Sequence, residues 1–351
     1  MKYSIIVPVF NRPDEVDELL ESLSNQTQKD FEVIIVEDGS VKTCKDVCDK
    51  YADILALHYY AKENSGPGQS RNYGAERANG EWLLILDSDV VLPTGYLEAI
   101  DHSLTSNIVA FGGPDAAHPS FTPVQKAISY SMTSFFTTGG IRGSSPQSGG
   151  ARGALDKFYP RSFNMGIRRD VYLQLGGFSK MRFGEDIDFS YRIVEAGHSP
   201  RLFPDAWVWH KRRTDFKKFF RQVYNSGIAR INLEKRHPGT MKLVHLLPTV
   251  FTVGVIALIL ISAVGRALMH YVDRDQFYWM CFAPWIPILL YSLLICIDST
   301  IKNKSLKVGL LSVPAAFVQL MGYGLGFIES WWKRCVLRQD EFQAFEKTFY
   351  K

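Results

Sequence analysis

The stretch Trp82-Leu83-Leu84-Ile85-Leu86-Asp87-Ser88-Asp89 decides the reading of this chain, because an apolar, strand-like run stops at two carboxylates one residue apart. In extended backbone, residues i and i+2 project to the same side, so Asp87 and Asp89 are able to share one ligand at the carboxyl end of a buried strand. Hard oxygen ligands favour Mg²⁺ or Mn²⁺, and such ions commonly accompany phosphate. Taken alone, the same letters also describe a solvated Asp-Ser-Asp turn, and the surrounding sequence separates the two readings.

Upstream, Lys2-Tyr3-Ser4-Ile5-Ile6-Val7-Pro8-Val9-Phe10-Asn11-Arg12 reads as a first buried strand, and it lacks the basic start and apolar stretch of an ordinary secretory signal. Residues Asp14 to Ser24 place Val16, Leu19, Leu20 and Leu23 at helical spacing. A second strand, Phe31 to Val36, ends in Glu37-Asp38-Gly39-Ser40, and a helix-like stretch containing Cys44 and Cys48 leads to a third strand near Ile54 to Tyr60. Then comes Asn64-Ser65-Gly66-Pro67-Gly68-Gln69-Ser70-Arg71-Asn72. Alternating strand and helix predicts an α/β domain with a Rossmann-like, mostly parallel sheet, whose ligands sit outside the carboxyl ends of the strands. Pro8 to Asn11, Asp38, Arg71 and the Asp87/Asp89 pair all fall at or just beyond such ends. The glycine-rich stretch has neither a Walker lysine nor a G-x-G-x-x-G opening, so a P-loop and a dinucleotide fingerprint are excluded.

Six motifs in this order resemble the family-2 glycosyltransferases, which carry the GT-A nucleotide-sugar-binding fold: Ser4-Ile5-Ile6-Val7-Pro8-Val9-Phe10-Asn11, Val36-Glu37-Asp38-Gly39-Ser40, Gly68-Gln69-Ser70-Arg71-Asn72-Tyr73-Gly74, Asp87-Ser88-Asp89, Asn164-Met165-Gly166 and Gly184-Glu185-Asp186-Ile187-Asp188. The resemblance covers roughly the first 235 residues. The Gln-x-x-Arg-Trp signature of processive, cellulose-synthase-like members is missing, with Arg221-Gln222-Val223-Tyr224 a weak echo of it.

The resemblance implies a role for each motif. Asp38 accepts a hydrogen bond from the nucleotide base or ribose, with Pro8 and Asn11 completing that pocket, while Arg71 serves the base and phosphate side, where a guanidinium fork suits a pyrophosphate. Asp87 and Asp89 form the DxD pair that holds Mn²⁺ or Mg²⁺ on the diphosphate of the donor, and Asn164 contacts the donor sugar. Asp186 is the general base for the acceptor hydroxyl and Glu185 orients the acceptor, although two acids opening a helix also serve as plain dipole capping. His210 is either a third metal ligand or a packed histidine. Lys211 to Arg213 are either a phosphate grip or a solvated basic run.

After Arg221 the composition changes. Residues 246–265, 277–297 and 308–328 contain no charged residue, and each is long enough to cross a hydrocarbon core of roughly 30 Å. The expected organisation is therefore a GT-A domain over 1–235, a helical membrane domain over 236–331 and a basic, amphipathic tail over 332–351. Basic residues before the first span, and Lys302, Lys304 and Lys307 between the second and third, predict a cytoplasmic catalytic domain. Three spans would export the tail beginning Trp331-Trp332-Lys333-Arg334. A re-entrant hairpin at Pro314, Gly322, Gly324 and Gly326 would return it.

Phe121 to Thr138 reads either as a core helix or as a segment lying on the membrane. Gly139 to Gly150 reads as a loop that orders on binding. Net charge is +4, explained by the juxtamembrane basic residues, so no nucleic-acid partner is indicated. The five cysteines show neither metal spacing nor a disulfide pattern.

Together with the resemblance, these features imply an integral protein of a bacterial-type inner membrane that moves sugar from a nucleotide-diphosphate sugar, UDP-sugar being favoured, to a hydroxyl of a polyprenyl-linked saccharide in cell-surface polysaccharide assembly. The alternatives are transfer to a polyprenyl phosphate, and a non-catalytic membrane scaffold with a nucleotide-sugar-binding head.

Overall fold

A computed structural model describes residues 1–139, 158–181, 183–267, 279 and 281–342. Its elements run β1 Tyr3–Val9, α1 Pro13–Ser24, β2 Phe31–Asp38, α2 Lys45–Tyr51, β3 Leu57–Lys62, α3 Pro67–Glu76, β4 Trp82–Leu86, β5 Val90–Val91, α4 Tyr96–Ser103, β6 Ala110–Gly112 and β7 Asp115–Ala116. They continue through α5 Pro123–Thr133, α6 Phe135–Thr138, β8 Asn164–Arg168, α7 Arg169–Gln174, α8 Glu185–Glu195, β9 Arg201–Leu202, β10 Val208–His210, α9 Phe216–Arg236, α10 Leu247–Ala267, α11 Ile286–Asn303 and α12 Leu306–Trp331.

The chain divides into two compact units, Met1–Pro119 with Ser144–Lys211, and Ser120–Gly143 with Arg212–Lys351. The first is built on a seven-stranded sheet in the order β3-β2-β1-β4-β8-β6-β9. β1 pairs in parallel with both β2 and β4, and β2 in parallel with β3, whereas β8 runs antiparallel to β4 and β6. A strand covered on both faces needs a continuous apolar run, which is what β1 and β4 supply. Alternate residues serve opposite faces: Ile5 and Val7 pack in the cluster that takes Val16, Leu19, Leu20 and Leu23 of α1, while Ile6 packs with Ile85, Phe178 and Phe189. A small sheet, β5-β10-β7, completes this unit.

The second unit is helical. Among the described residues, three helices are long and apolar enough to cross a membrane: Leu243–Ala267, Ala283–Asn303 and Leu306–Val336. The third is half buried, against about a tenth for the other two, so it is the central helix of its unit. It is also continuous. Of the two forms left open for this segment, a span and a re-entrant hairpin, the span is the one present, and Leu306–Trp331 runs through Pro314 as one helix. The glycines serve close packing instead: a Cβ on Gly322 would lie 2.6 Å from Val223 Cγ2, and one on Gly326 would lie 2.0 Å from the Tyr224 carbonyl.

α9 therefore groups with the apolar helices, and the division falls at Lys211/Arg212 rather than at residue 235. Phe121 to Thr138 groups there too. α5 buries Ile128 and Met132 against Phe219 and Val223 of α9, and Ala127 against Val308 and Ala315 of α12. α6 leaves Phe135 and Phe136 exposed. Of the loop expected at Gly139 to Gly150, only Gly139 lies within the described residues.

Candidate active site

β4 delivers the chain to Leu86 at its carboxyl end, and Asp87, Ser88 and Asp89 make the turn into β5. β5 pairs antiparallel with β10, setting His210 opposite Val90. This short ladder brings a residue more than a hundred positions away to the two acids: ligand atoms of Asp87, Asp89 and His210 all lie within 4.8 Å of one another. His210 Nε2 is 3.2 Å from Asp89 Oδ1, and its ring stacks on Phe163 at 4.8 Å. His210 Nδ1 is buried without a hydrogen-bond partner among the described residues. Two carboxylates and an imidazole suit Mn²⁺ or Mg²⁺, so the donor set fits the divalent cation that the sequence led us to expect.

Arg71 on α3 ties this corner to the second acidic motif. Its Nη2 donates to Asp87 Oδ1 at 2.7 Å and its Nη1 to Glu185 Oε1 at 3.1 Å, with the guanidinium 5.2 Å over the Phe178 ring. A buried guanidinium is retained only with such compensation, and its fork geometry allows two carboxylates to be held at once. Gly68 permits the approach of α3, since a Cβ there would already touch Phe178 and the Glu185 side chain.

Glu185 and Asp186 open α8 behind Gly184, which takes a left-handed φ of 86°. Both are buried. Burial pushes the Glu185 carboxyl up to about 7, against the pull of Arg71. Burial also opposes charge on Asp186, but the Arg161 guanidinium, whose Nε donates to Oδ2 at 2.6 Å, holds that carboxyl below the ordinary range. Asp186 Oδ1 accepts from the Ile187 amide at 2.9 Å.

The residues assigned to base and sugar recognition are engaged within the fold. Asp38 closes β2, accepts from the Ser65 and Gly66 amides at 2.9 Å each, and pairs with Lys62. Asn11, at φ 55°, accepts from the Val41 and Lys42 amides at 2.8 and 2.9 Å, fixing the loop after β2. Pro8 is half-buried in β1, beside Val36 of β2. Asn164 starts β8 opposite Leu86, accepting from the Tyr96 hydroxyl at 2.7 Å and donating to the Ala206 carbonyl at 2.8 Å. Both ends of its amide thus serve the fold.

Three residues escaped the sequence reading. Arg12 immediately precedes α1 and its Nη1 donates to Asp89 Oδ2 at 3.0 Å. Arg161 pairs with Asp186, and Lys62 with Asp38. An arginine beside an acid distant in sequence leaves no local signature; only Arg12, adjacent to the Pro8 to Asn11 motif, stood where one was to be looked for.

Residues 4–172 match the family model described as Glycosyl transferase family 2. An uncharacterized glycosyltransferase of Haemophilus influenzae is 30% identical over 200 residues, 55% of this chain and 62% of that protein. The pre-mycofactocin glycosyltransferase of Mycobacterium tuberculosis is 26% identical over 286 residues, 76% of this chain and 53% of that protein. The chain thus spans less than two thirds of the length of these curated relatives. Among solved structures, the mannosyltransferase PcManGT from Pyrobaculum calidifontis, in complex with GDP-Man and Mn²⁺, superposes with a TM-score of 0.56 at 14% identity, covering 95% of this chain and 88% of that one. That likeness is one of fold.

Proposed function

Because the chain carries a glycosyl transferase family 2 domain of GT-A fold, followed by long apolar helices, we propose that it is a membrane-anchored inverting glycosyltransferase. It moves sugar from a nucleotide-diphosphate sugar to a hydroxyl of a polyprenyl-linked saccharide, in cell-surface polysaccharide assembly, with its catalytic domain cytoplasmic. The observation that carries the reading is Arg71, which joins two acidic motifs with different tasks, Asp87 on the donor side and Glu185 on the acceptor side.

Asp87, Asp89 and His210 would hold a divalent cation. Such an ion, when bound, neutralises charge on the departing nucleoside diphosphate. Arg71 fixes the spacing between donor and acceptor acids and presents a permanent charge to the phosphates. Asp186 accepts the proton of the acceptor hydroxyl in a single in-line displacement, and Glu185 orients the acceptor. Pro8, Asn11 and Asp38 shape the nucleotide pocket, with Asn11 and Asp38 acting through the loops they fasten. A UDP-sugar is the expected donor. The fold relative PcManGT was solved with GDP-Man, so GDP-sugars belong in the same panel.

One observation favours a second acceptor. Arg161 lowers the proton affinity of Asp186, which weakens it as a base and leaves a guanidinium suited to an anionic group. A polyprenyl phosphate is already ionised and needs no base.

The test is nucleoside-diphosphate release from a panel of sugar nucleotides by detergent-purified protein with Mn²⁺ or Mg²⁺, using a polyprenyl-linked saccharide or a polyprenyl phosphate as acceptor. Metal-dependent release lost in Asp89→Ala supports the reading. Asp186→Asn lowers hydroxyl transfer about 10²- to 10⁴-fold, the usual contribution of a positioned base. Much smaller losses with the phosphate acceptor would select the second reading. No release from any donor by a folded protein would leave a nucleotide-sugar-binding scaffold.

A further inference from the structure

The Asp89 carboxylate meets both His210 and Arg12. Oδ1 faces His210 Nε2 at 3.2 Å and Oδ2 accepts from Arg12 Nη1 at 3.0 Å. The same Arg12 nitrogen is 2.7 Å from Glu15 Oε2, one turn along α1. The backbone that carries Arg12 is fastened, because Asn11 holds the loop after β2 through its side chain and its amide donates to Ser40 Oγ at 2.7 Å. The Arg12 side chain is about a third exposed, so it has room to move where its backbone does not. A second guanidinium, Arg71, occupies Asp87. The acids expected to take a dication are thus already balanced by the chain's own cations, and Arg12 has a second carboxylate ready to receive it.

We propose that Arg12 is a positioning residue that competes with the divalent cation for Asp89 and passes to the diphosphate of the donor when that cation binds, so that metal and nucleotide enter together. The inference rests on the metal-site reading above. A like charge beside a cation site weakens it, and removing that charge strengthens it. A guanidinium released from one oxyanion is well matched to the paired oxygens of a diphosphate. Glu15 holds the side chain during the exchange, which keeps the released charge from being stranded.

The experiment measures Mn²⁺ affinity by electron paramagnetic resonance on detergent-purified full-length protein, with and without UDP or GDP. It compares wild type, Arg12→Gln, Glu15→Gln and Asp89→Ala. Without nucleotide, Arg12→Gln binds Mn²⁺ about tenfold more tightly than wild type, toward the lower end of ordinary coupling between sites. Glu15→Gln, which commits Arg12 to Asp89, binds more weakly. UDP or GDP strengthens Mn²⁺ binding in wild type and does so much less in Arg12→Gln, because coupling is reciprocal. A residue that only braced Asp89 would give the opposite sign in the first comparison. Arg12→Gln that binds Mn²⁺ no more tightly than wild type, or that keeps the full nucleotide enhancement, overturns the proposal. Should Arg12→Gln fail to fold, a Glu15→Gln variant with unchanged or tighter Mn²⁺ binding does the same. Wild type that binds Mn²⁺ no better than Asp89→Ala would overturn the metal reading beneath it.

Discussion

Burial raises the carboxyl of Glu185 from its ordinary value near 4.5 to about 7, so between those limits the folded chain keeps a proton that the unfolded chain has released. The contribution of this group to stability is fully present below the lower limit and falls as pH climbs through the window. Glu185→Gln, which imitates the protonated side chain, should therefore match the thermal stability of wild type near pH 5 and exceed it at pH 8. A melting temperature that fell by the same amount at both values would contradict this. Asn164 gives a second test at the same scale. Asn164→Ala leaves the Tyr96 hydroxyl and the Ala206 carbonyl without their buried partner, at a cost of about 2–4 kcal/mol, read as a lower denaturant midpoint. The Asp87/Asp89 pair could be picked out in sequence because two acids one residue apart end an apolar run, although the chain brings them together in a turn rather than in extended backbone. The pairs Arg12 with Asp89 and Arg161 with Asp186 join residues 77 and 25 positions apart. Nothing in either neighbourhood announces them.

Helix α12 shows how an element can be legible in extent while its shape stays open in the sequence. Its apolar length was plain, but Pro314 and three glycines suggested a break, and the continuous helix uses the glycines on two faces. Gly322 and Gly326, four residues apart, meet Val223 and Tyr224 of α9, while Gly324 lies between them in sequence and meets Thr252 of α10. Spacing by four marks one helical face and spacing by two marks nearly the opposite one. The facing surface of α9 has its own requirement, since a Cβ on Gly227 would lie 2.2 Å from the Tyr323 carbonyl. Gly227→Leu should destabilise the helical unit by about 1–3 kcal/mol or more through overpacking. Gly254→Ala on α10, where a Cβ meets nothing within 4 Å, should be neutral or slightly stabilising. Thermal unfolding in detergent separates the two; equal losses would mean that α9 and α12 do not approach so closely.

At the scale of the whole molecule, the composition changes after Arg221 and the chain divides into two units, but the boundary between them is not a single cut in sequence. Between β7 and β8 the described residues 120–139 leave the sheet-bearing unit and join the helices of the other, burying Ile128 and Met132 against Phe219 and Val223. Sequence periodicity shows that α5 has an apolar face and does not show which element covers it, because a helix of a soluble core and a helix docked on an apolar bundle carry the same pattern. The consequence is testable by truncation. A protein ending at Lys211 keeps every strand of the seven-stranded sheet and all four of Asp87, Asp89, Glu185 and Asp186, yet loses the partners of Ala127, Ile128, Tyr130 and Met132. It should aggregate or require detergent. Replacing residues 120–143 of that truncated protein by a short Gly/Ser linker removes the uncovered face and should restore a monodisperse, cooperatively melting domain by size-exclusion chromatography and circular dichroism. If the truncated protein were equally soluble with the excursion left in place, α5 would have its cover within the sheet-bearing unit and the division at residues 120 and 212 would be wrong.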